Sequence, residues 1–235
     1  MLPASEVMTK IIQDLQEARI LLNEDPVKTE GGLSSGNAGE SSNFLCYRAL
    51  RLNYYAVTGL LARVCLYAGQ RENAFNYSTE VIKASNNGIF PFVDRSLVNG
   101  TAQDPDRIFS PEVLFALSDS QRGELFEEYF DPSLAPNMVF RMETDLLEQT
   151  IYGGTGTGGN LDDYRCRSNW ISSGSARYFY KYSDMTESGR IENTMIPLLR
   201  LGEMYLIAAE SQSNSLANGV SYINTLRKNR GVSNL

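Results

Sequence analysis

The residues of this sequence best suited by type to acid and base chemistry are two adjacent acidic pairs, Glu127-Glu128 and Asp162-Asp163. A glycosidase holds its two carboxyls about 5 to 9 Å apart across the scissile bond. Neighbouring side chains point away from each other, so both pairs read as solvated surface. Asp104-Pro105-Asp106 lacks the further closely spaced oxygen ligands that a calcium loop uses. The run Gly153-Gly154-Thr155-Gly156-Thr157-Gly158-Gly159 contains G-x-G-x-x-G. Dinucleotide binding also needs a strand before it, a helix opening on the last glycine and an acidic residue about twenty positions on. Those flanks are missing, and Asn160 stands where a phosphate loop needs lysine, so the expectation is a flexible loop. Cys46, Cys65 and Cys166 are scattered without a C-x-x-C spacing and read as small buried apolar side chains.

Histidine is absent, which removes Ser-His-Asp and Cys-His relays and zinc sites built on imidazole. No cofactor and no metal are expected. Lysine and arginine number 21 against 28 aspartates and glutamates, a net charge of −7, and no basic stripe tracks a phosphate backbone. Nucleic acid is therefore not an expected partner. With 42% hydrophobic and 21% charged residues among 235, the chain has the composition of an ordinary globule. It is long enough for one large domain or two small ones. No apolar run reaches the roughly 18 residues of a membrane span. The first residues, Met1-Leu2-Pro3-Ala4-Ser5-Glu6, lack the basic start and apolar stretch of a signal peptide.

What remains for chemistry is a set of aromatic rings. A sugar offers an apolar C–H face that stacks on Trp, Tyr or Phe, while neighbouring polar groups bond its hydroxyls. Trp170, the single tryptophan, closes Arg165-Cys166-Arg167-Ser168-Asn169-Trp170 beside donors suited to hydroxyls. Tyr129 and Phe130 precede Asp131-Pro132, and Tyr152 opens the glycine run. For each ring alone, burial in a core is the competing reading.

The elements that must position these rings are legible from spacing. Val7, Ile11, Leu15, Ala18 and Leu22 recur at steps of three and four, which predicts an amphipathic helix from Ala4 to Asn23. Residues 24–42 read as a loop. Leu50, Tyr54, Val57, Leu61, Val64 and Ala68 predict a second helix, with Ala56, Gly59 and Ala62 forming a small-residue strip for a close partner. Gly69 ends it, and Ala74, Tyr77, Val81 and Ala84 begin another that stops at Asn87-Gly88. So short a link forces an antiparallel hairpin, and Ala62 and Ala74 resemble the packing positions of a tetratricopeptide pair. Between Ile89 and Asn193 lie five of the eight prolines, so loops and short strands are expected there. Val113 to Leu117 is one strand candidate and Arg177 to Tyr182 another. A helix is expected from Pro197 through Ala209 and a last one from Leu216 to Asn229, ended by Gly231. Glu203 and Glu210, near Arg200, Arg227 and Arg230, are expected to tie this second hairpin by charge.

Several of these segments together resemble the SusD/RagB family of outer-membrane glycan-binding lipoproteins. Tyr55 to Gly69, followed by Ala74 and Val81-Ile82, is similar to the family's "A…LLARVYLYAG…A…VI" hairpin. Glu112-Val113-Leu114-Phe115-Ala116-Leu117 is similar to "EVIFAL", and Asp163-Tyr164-Arg165 to a "D-x-R" segment. The most specific stretch is Ile196 to Glu210, followed by Tyr222 to Arg227 and Arg230-Gly231. The resemblance runs from the first helix to the last residue.

It implies a mainly α, SusD-like fold: tetratricopeptide-like helical hairpins with a loop-rich middle region and a few short strands. The chain is expected to be a single domain fragment over residues 1–235. Residues 4–88 form the N-terminal helices and hairpin, 89–195 a loop-rich ligand-binding region and 196–231 the C-terminal hairpin. The implied function is non-catalytic binding of oligosaccharide or polysaccharide at the cell surface for nutrient uptake. A SusC-like TonB-dependent outer-membrane transporter is the implied partner. The family takes binding aromatics from its N-terminal part and from the loops after the "EVIFAL" strand, here the stretch around Phe126 to Phe140. Tyr129, Phe130, Tyr152 and Trp170 are the candidate ligand-binding residues. Family members carry a signal peptide, a lipidated cysteine and further helices on both sides of the matching part. The expectation is therefore a fragment, with an exposed apolar patch where such helices pack. The rival class is a helical-repeat scaffold that holds a peptide on its concave face.

Overall fold

The computed structural model describes residues 3–36, 44–98, 104–153, 162–187, 189–212 and 215–235. The expected loop at 24–42 is thus described up to Gly36, and of the glycine run only Gly153 lies within the described residues. The chain forms two compact units, each assembled from separate stretches of sequence.

The first unit comprises 1–92, 111–117 and 197–226. Its helices are α1 (Ala4–Leu21), the single turn α2 (Val27–Glu30), α3 (Tyr54–Tyr67), α4 (Arg71–Asn86), α7 (Leu201–Ser211) and α8 (Leu216–Lys228). Along α1, Ile12 is buried and Leu15, Ala18 and Leu22 lean on the core, while Val7 and Ile11 stay exposed. The expected apolar stripe is therefore used in its C-terminal half and is rotated by one residue at its start. Asn53 starts α3: its Oδ1 accepts the Ala56 N–H at 2.9 Å and its Nδ2 donates to Leu114 O at 2.8 Å.

Nine of the fourteen residues of α3 are buried, and Ala62 and Ala74 are fully so. Gly59 gives α3 its closest approach. A Cβ there would meet Leu199 Cδ2 at 2.8 Å, with Met204 Sδ at 3.3 Å. The core of this unit joins Val57, Leu61, Val81, Phe90, Leu114, Leu199, Leu201 and Met204. Cys65 is buried in it, and burial pushes its thiol up.

Two expectations need correction here. Pro197 does not open a helix: Met195–Arg200 is a strand, β5, that pairs with β1 (Val113–Ser118), and α7 starts at Leu201. Proline lacks a donor but is tolerated on a two-stranded sheet, where one edge of each strand has no ladder to complete. Arg200 is still extended, at φ −134° and ψ 153°, before the helix begins. Nor does Glu203 pair with the arginines of the hairpin. It binds Arg63 of α3 through contacts of 2.6 and 2.7 Å.

Between α7 and α8 lies an apolar groove of about 420 Å3 lined by Leu206, Ala209, Leu216, Val220 and Ile223. Leu206 is 52% and Leu216 82% exposed. Among the described residues no helix is long and apolar enough to cross a membrane.

The second unit comprises 93–110, 118–196 and 227–235. It holds α5 (Arg122–Tyr129), α6 (Tyr164–Asn169) and a three-stranded antiparallel sheet. Strands β2 (Arg141–Glu143), β3 (Trp170–Ser173) and β4 (Ala176–Phe179) are ordered β2-β4-β3. Register pairs Trp170 with Phe179 and Arg141 with Tyr178. Leu146–Ile151 forms one π-helical stretch. The strand expected over Arg177 to Tyr182 thus lies slightly earlier. Trp170, expected in a loop, is the first residue of β3 because α6 runs straight into the strand.

Candidate functional site

The sheet, α5 and the residues that follow them bring Phe126, Phe130, Phe140, Trp170, Phe179, Tyr180 and Tyr182 into one connected cluster. On α5, Arg122 and Phe126 are four apart on one face and both are buried, while Tyr129 points outward at 52% exposure. Phe130 follows the helix and lies parallel to Phe126, with ring centroids 6.4 Å apart at 14°. Across the β3-β4 ladder, Trp170 meets Phe179 at 5.3 Å. The backbone of Phe179 donates to Phe140 O at 3.3 Å, which seats the Phe140 ring against both Phe179 at 5.7 Å and Trp170 at 5.8 Å. Phe130 reaches Phe179 at 5.7 Å, and Tyr182 lies 6.2 Å from Phe179. Phe179 is therefore the hub. Such offset and edge-on contacts each add about 0.5 to 1.5 kcal/mol beyond area burial.

The four candidate residues take different places in and around this cluster. Tyr129 presents an open ring, and the neighbouring Glu128 carboxylate raises its pKa. Phe130 is half-buried between Phe126 and Phe179. Trp170 is 8% exposed and keeps its ring inside. Burial pushes the Tyr152 hydroxyl up, against a smaller lowering influence of the neighbouring Trp170 indole. The donors expected beside Trp170 are turned elsewhere by the short helix α6. Arg165 binds Asp163, Arg167 binds Asp162 and Ser168 Oγ donates to Tyr164 O.

Phe140, at 50% exposure, is an open ring of the cluster, and Tyr129 is open one residue before Phe130. Phe179 and Tyr182, which sequence places only in a strand candidate, prove central. The aromatic run Tyr178-Phe179-Tyr180 with Tyr182 is the available signal, but ring contacts across a ladder depend on register.

The acidic pairs part ways: Glu127 and Glu128 are exposed as expected, whereas Asp163, expected on the solvated surface, is 3% exposed and committed to structure. Asp163 caps α6 by accepting the Arg165 N–H at 2.8 Å and holds the Arg165 guanidinium at 2.6 Å. Asp104 accepts the Thr186 N–H at 2.9 Å. Among the described residues, no group of three or more Cys, Asp or Glu is placed to hold a metal ion.

Solved structures place this architecture among the SusD-like folds, which is the mainly α arrangement of helical hairpins and short strands described above. A SusD-like carbohydrate binding protein from Bacteroides vulgatus ATCC 8482 matches 98% of this chain and 44% of its own, with TM-score 0.56 and 19% identity. A SusD-like protein from Bacteroides fragilis NCTC 9343 matches 98% and 53%, with TM-score 0.59 and 14% identity. Surface glycan-binding protein A from Bacteroides thetaiotaomicron, solved with laminarihexaose, matches 100% and 56%, with TM-score 0.57 and 17% identity. The chain spans about half the length of the solved proteins it matches. No protein-family model and no curated protein matches the sequence.

Proposed function

We propose that this chain contributes a non-catalytic, glycan-binding surface to a SusD-like protein. The observation that carries the reading is the connected cluster around Phe179, rigid within and open at Phe140, with the exposed ring of Tyr129 next to Phe130 in the chain. Rings held by their neighbours lose little freedom when a sugar stacks on them, which lowers the ordering cost of a weak contact. Phe130, Tyr152 and Trp170 serve this surface by supporting the open rings. The likeness in fold to a protein solved with laminarihexaose makes a glucan oligosaccharide the first ligand to test. By the same likeness, the complete protein sits at the outer-membrane surface as a lipoprotein and hands glycan to a SusC-like TonB-dependent transporter for uptake. The commitment of Asp162 and Asp163 to arginine partners supports a binding role over glycoside hydrolysis.

The apolar groove between α7 and α8 favours a second reading, a scaffold that holds a peptide on its helical hairpins. Calorimetric titration with laminarihexaose separates the two. The glycan reading expects Phe140→Ala and Tyr129→Ala each to weaken binding about tenfold, equal to about 1.4 kcal/mol, while Leu206→Ser leaves it unchanged. A panel of glycans that all fail to bind the full chain, or affinity untouched by both ring substitutions, would overturn it.

A further inference from the structure

Behind the aromatic cluster, three buried polar atoms converge on one small cavity of the second unit. Asp106 Oδ1, Arg107 Nε and Arg122 Nε have no hydrogen-bond partner, and all three residues line a cavity of about 10 Å3. The other polar atoms of Asp106 and Arg122 are bonded, while Arg107 makes one long contact, from Nη1 to Pro105 O at 3.4 Å. Asp106 Oδ2 accepts the Ser110 N–H at 2.7 Å and its hydroxyl at 2.8 Å. The Arg122 Nη atoms donate to Glu192 O at 2.8 Å, Met195 O at 3.2 Å and Asp184 Oδ1 at 3.1 Å. Asp106 is 4% and Arg122 3% exposed, and Arg107 is half-buried with its Nε inside. Orphaned polar atoms at such depth are strongly disfavoured, and three on one cavity point to a shared ligand.

The size and chemistry of the cavity select that ligand. About 10 to 15 Å3 admits one water and nothing larger. Two N–H donors would repel a cation, and the carboxylate would repel an anion. Two donors and one acceptor match two lone pairs and one hydrogen of a water molecule.

We propose that this cavity is a binding site for a single water, which accepts from Arg107 Nε and Arg122 Nε and donates to Asp106 Oδ1. The bridge ties the turn at 106–110 to the first turn of α5, which Arg122 already fastens to residues 183–184 and 192–195. The guanidinium of Arg107 lies 5.1 Å from the Tyr180 ring centre, and Tyr180 stands edge-on to Phe126 at 4.9 Å. The water thus anchors the helix that carries Phe126 and Tyr129. The site stands on its own geometry, independent of what the outer surface binds.

The test is a crystal structure of the full chain fine enough to show ordered water, paired with amide hydrogen exchange. One density peak is expected about 2.6 to 3.2 Å from each of the three atoms. In Asp106→Asn the amide oxygen takes the Ser110 bonds and the NH2 faces the cavity, so three donors compete for two lone pairs. The peak is then expected to vanish and the α5 amides to exchange about tenfold faster, while α3 is unchanged. A wild-type cavity closed without a peak, or a peak that persists in Asp106→Asn, overturns the site. Loss of the peak with α5 exchange unaltered overturns the tie. If Asp106→Asn does not fold, Arg107→Met keeps the stem, removes Nε and carries the same comparison.

Discussion

Trp170 and Phe179 stand opposite each other across the β3-β4 ladder, their ring centroids 5.3 Å apart and their planes at 65°. Each therefore covers the other, and the tryptophan contributes support to the aromatic surface where Phe140 contributes an open face.

Truncating the two rings should separate those roles. Trp170→Ala is expected to cost about 3 to 5 kcal/mol, because it empties a packed site and removes the ring contacts to Phe140 and Phe179. Phe140→Ala, from a half-exposed site, should cost only about 1 kcal/mol. Urea denaturation measures both. Emission of the one tryptophan should be that of an apolar environment and move to the red on unfolding.

Two ion pairs of the first unit should differ widely in effect. Arg48 grips Asp25 through bonds of 3.0 and 2.7 Å with side-chain exposures of 4% and 1%. The same carboxylate also accepts the N–H groups of Val27 and Tyr54. Asp25→Ala strands a buried guanidinium and two backbone donors, and should destabilise by about 3 to 5 kcal/mol. Arg63 and Glu203 are about one-third exposed, at 33% and 31%, so Glu203→Ala should cost no more than about 1 kcal/mol. Thermal melts of the two variants make the comparison.

Stability should fall at high pH through Tyr54. Burial, and next the bond it donates to Glu80 Oε1 at 2.7 Å, push its pKa up to about 12. The unfolded side chain titrates near its ordinary value of about 10. Between these values the unfolded chain has lost the proton and the folded chain has kept it, so stability declines as pH rises from about 10 to about 12. Below the lower value the contribution is complete. Unfolding curves of the native chain and Tyr54→Phe should converge over that window; parallel curves would refute the assignment.

Gly231→Ala should destabilise the second unit by about 1 to 3 kcal/mol. Its φ is +75°, and a Cβ would lie 2.6 Å from Asp162 O and 2.5 Å from the Tyr164 ring. Gly69 has the same φ of +75° with nothing within 4 Å, so Gly69→Ala isolates the backbone part of the effect. Denaturant midpoints of the pair give the difference.

How much of this was legible in the sequence depends on whether a feature is local. The spacing of Val57, Leu61 and Val64 and of Ala74 and Val81 suffices to place α3 and α4, because a helix satisfies its own backbone and shows its buried face every three or four residues. Pro197 misled because it suits a first helical turn and a two-stranded edge equally, and only the presence of β1 decides between them. The candidate rings were found by type, yet their division into open and covered was not. That division follows from the register that sets Trp170 against Phe179 and from the backbone bond that seats Phe140, and both join segments far apart in the chain.

The interleaving of the two units also imposes an order on synthesis. Helices α1 to α4 leave the ribosome well before Leu199, Leu201 and Met204, which complete the core they share. At about 5 to 20 residues per second, the intervening residues 93–196 take on the order of 5 to 20 s. Through that interval the nascent hairpin carries an uncovered apolar face, a natural target for chaperones and for premature association with neighbouring chains.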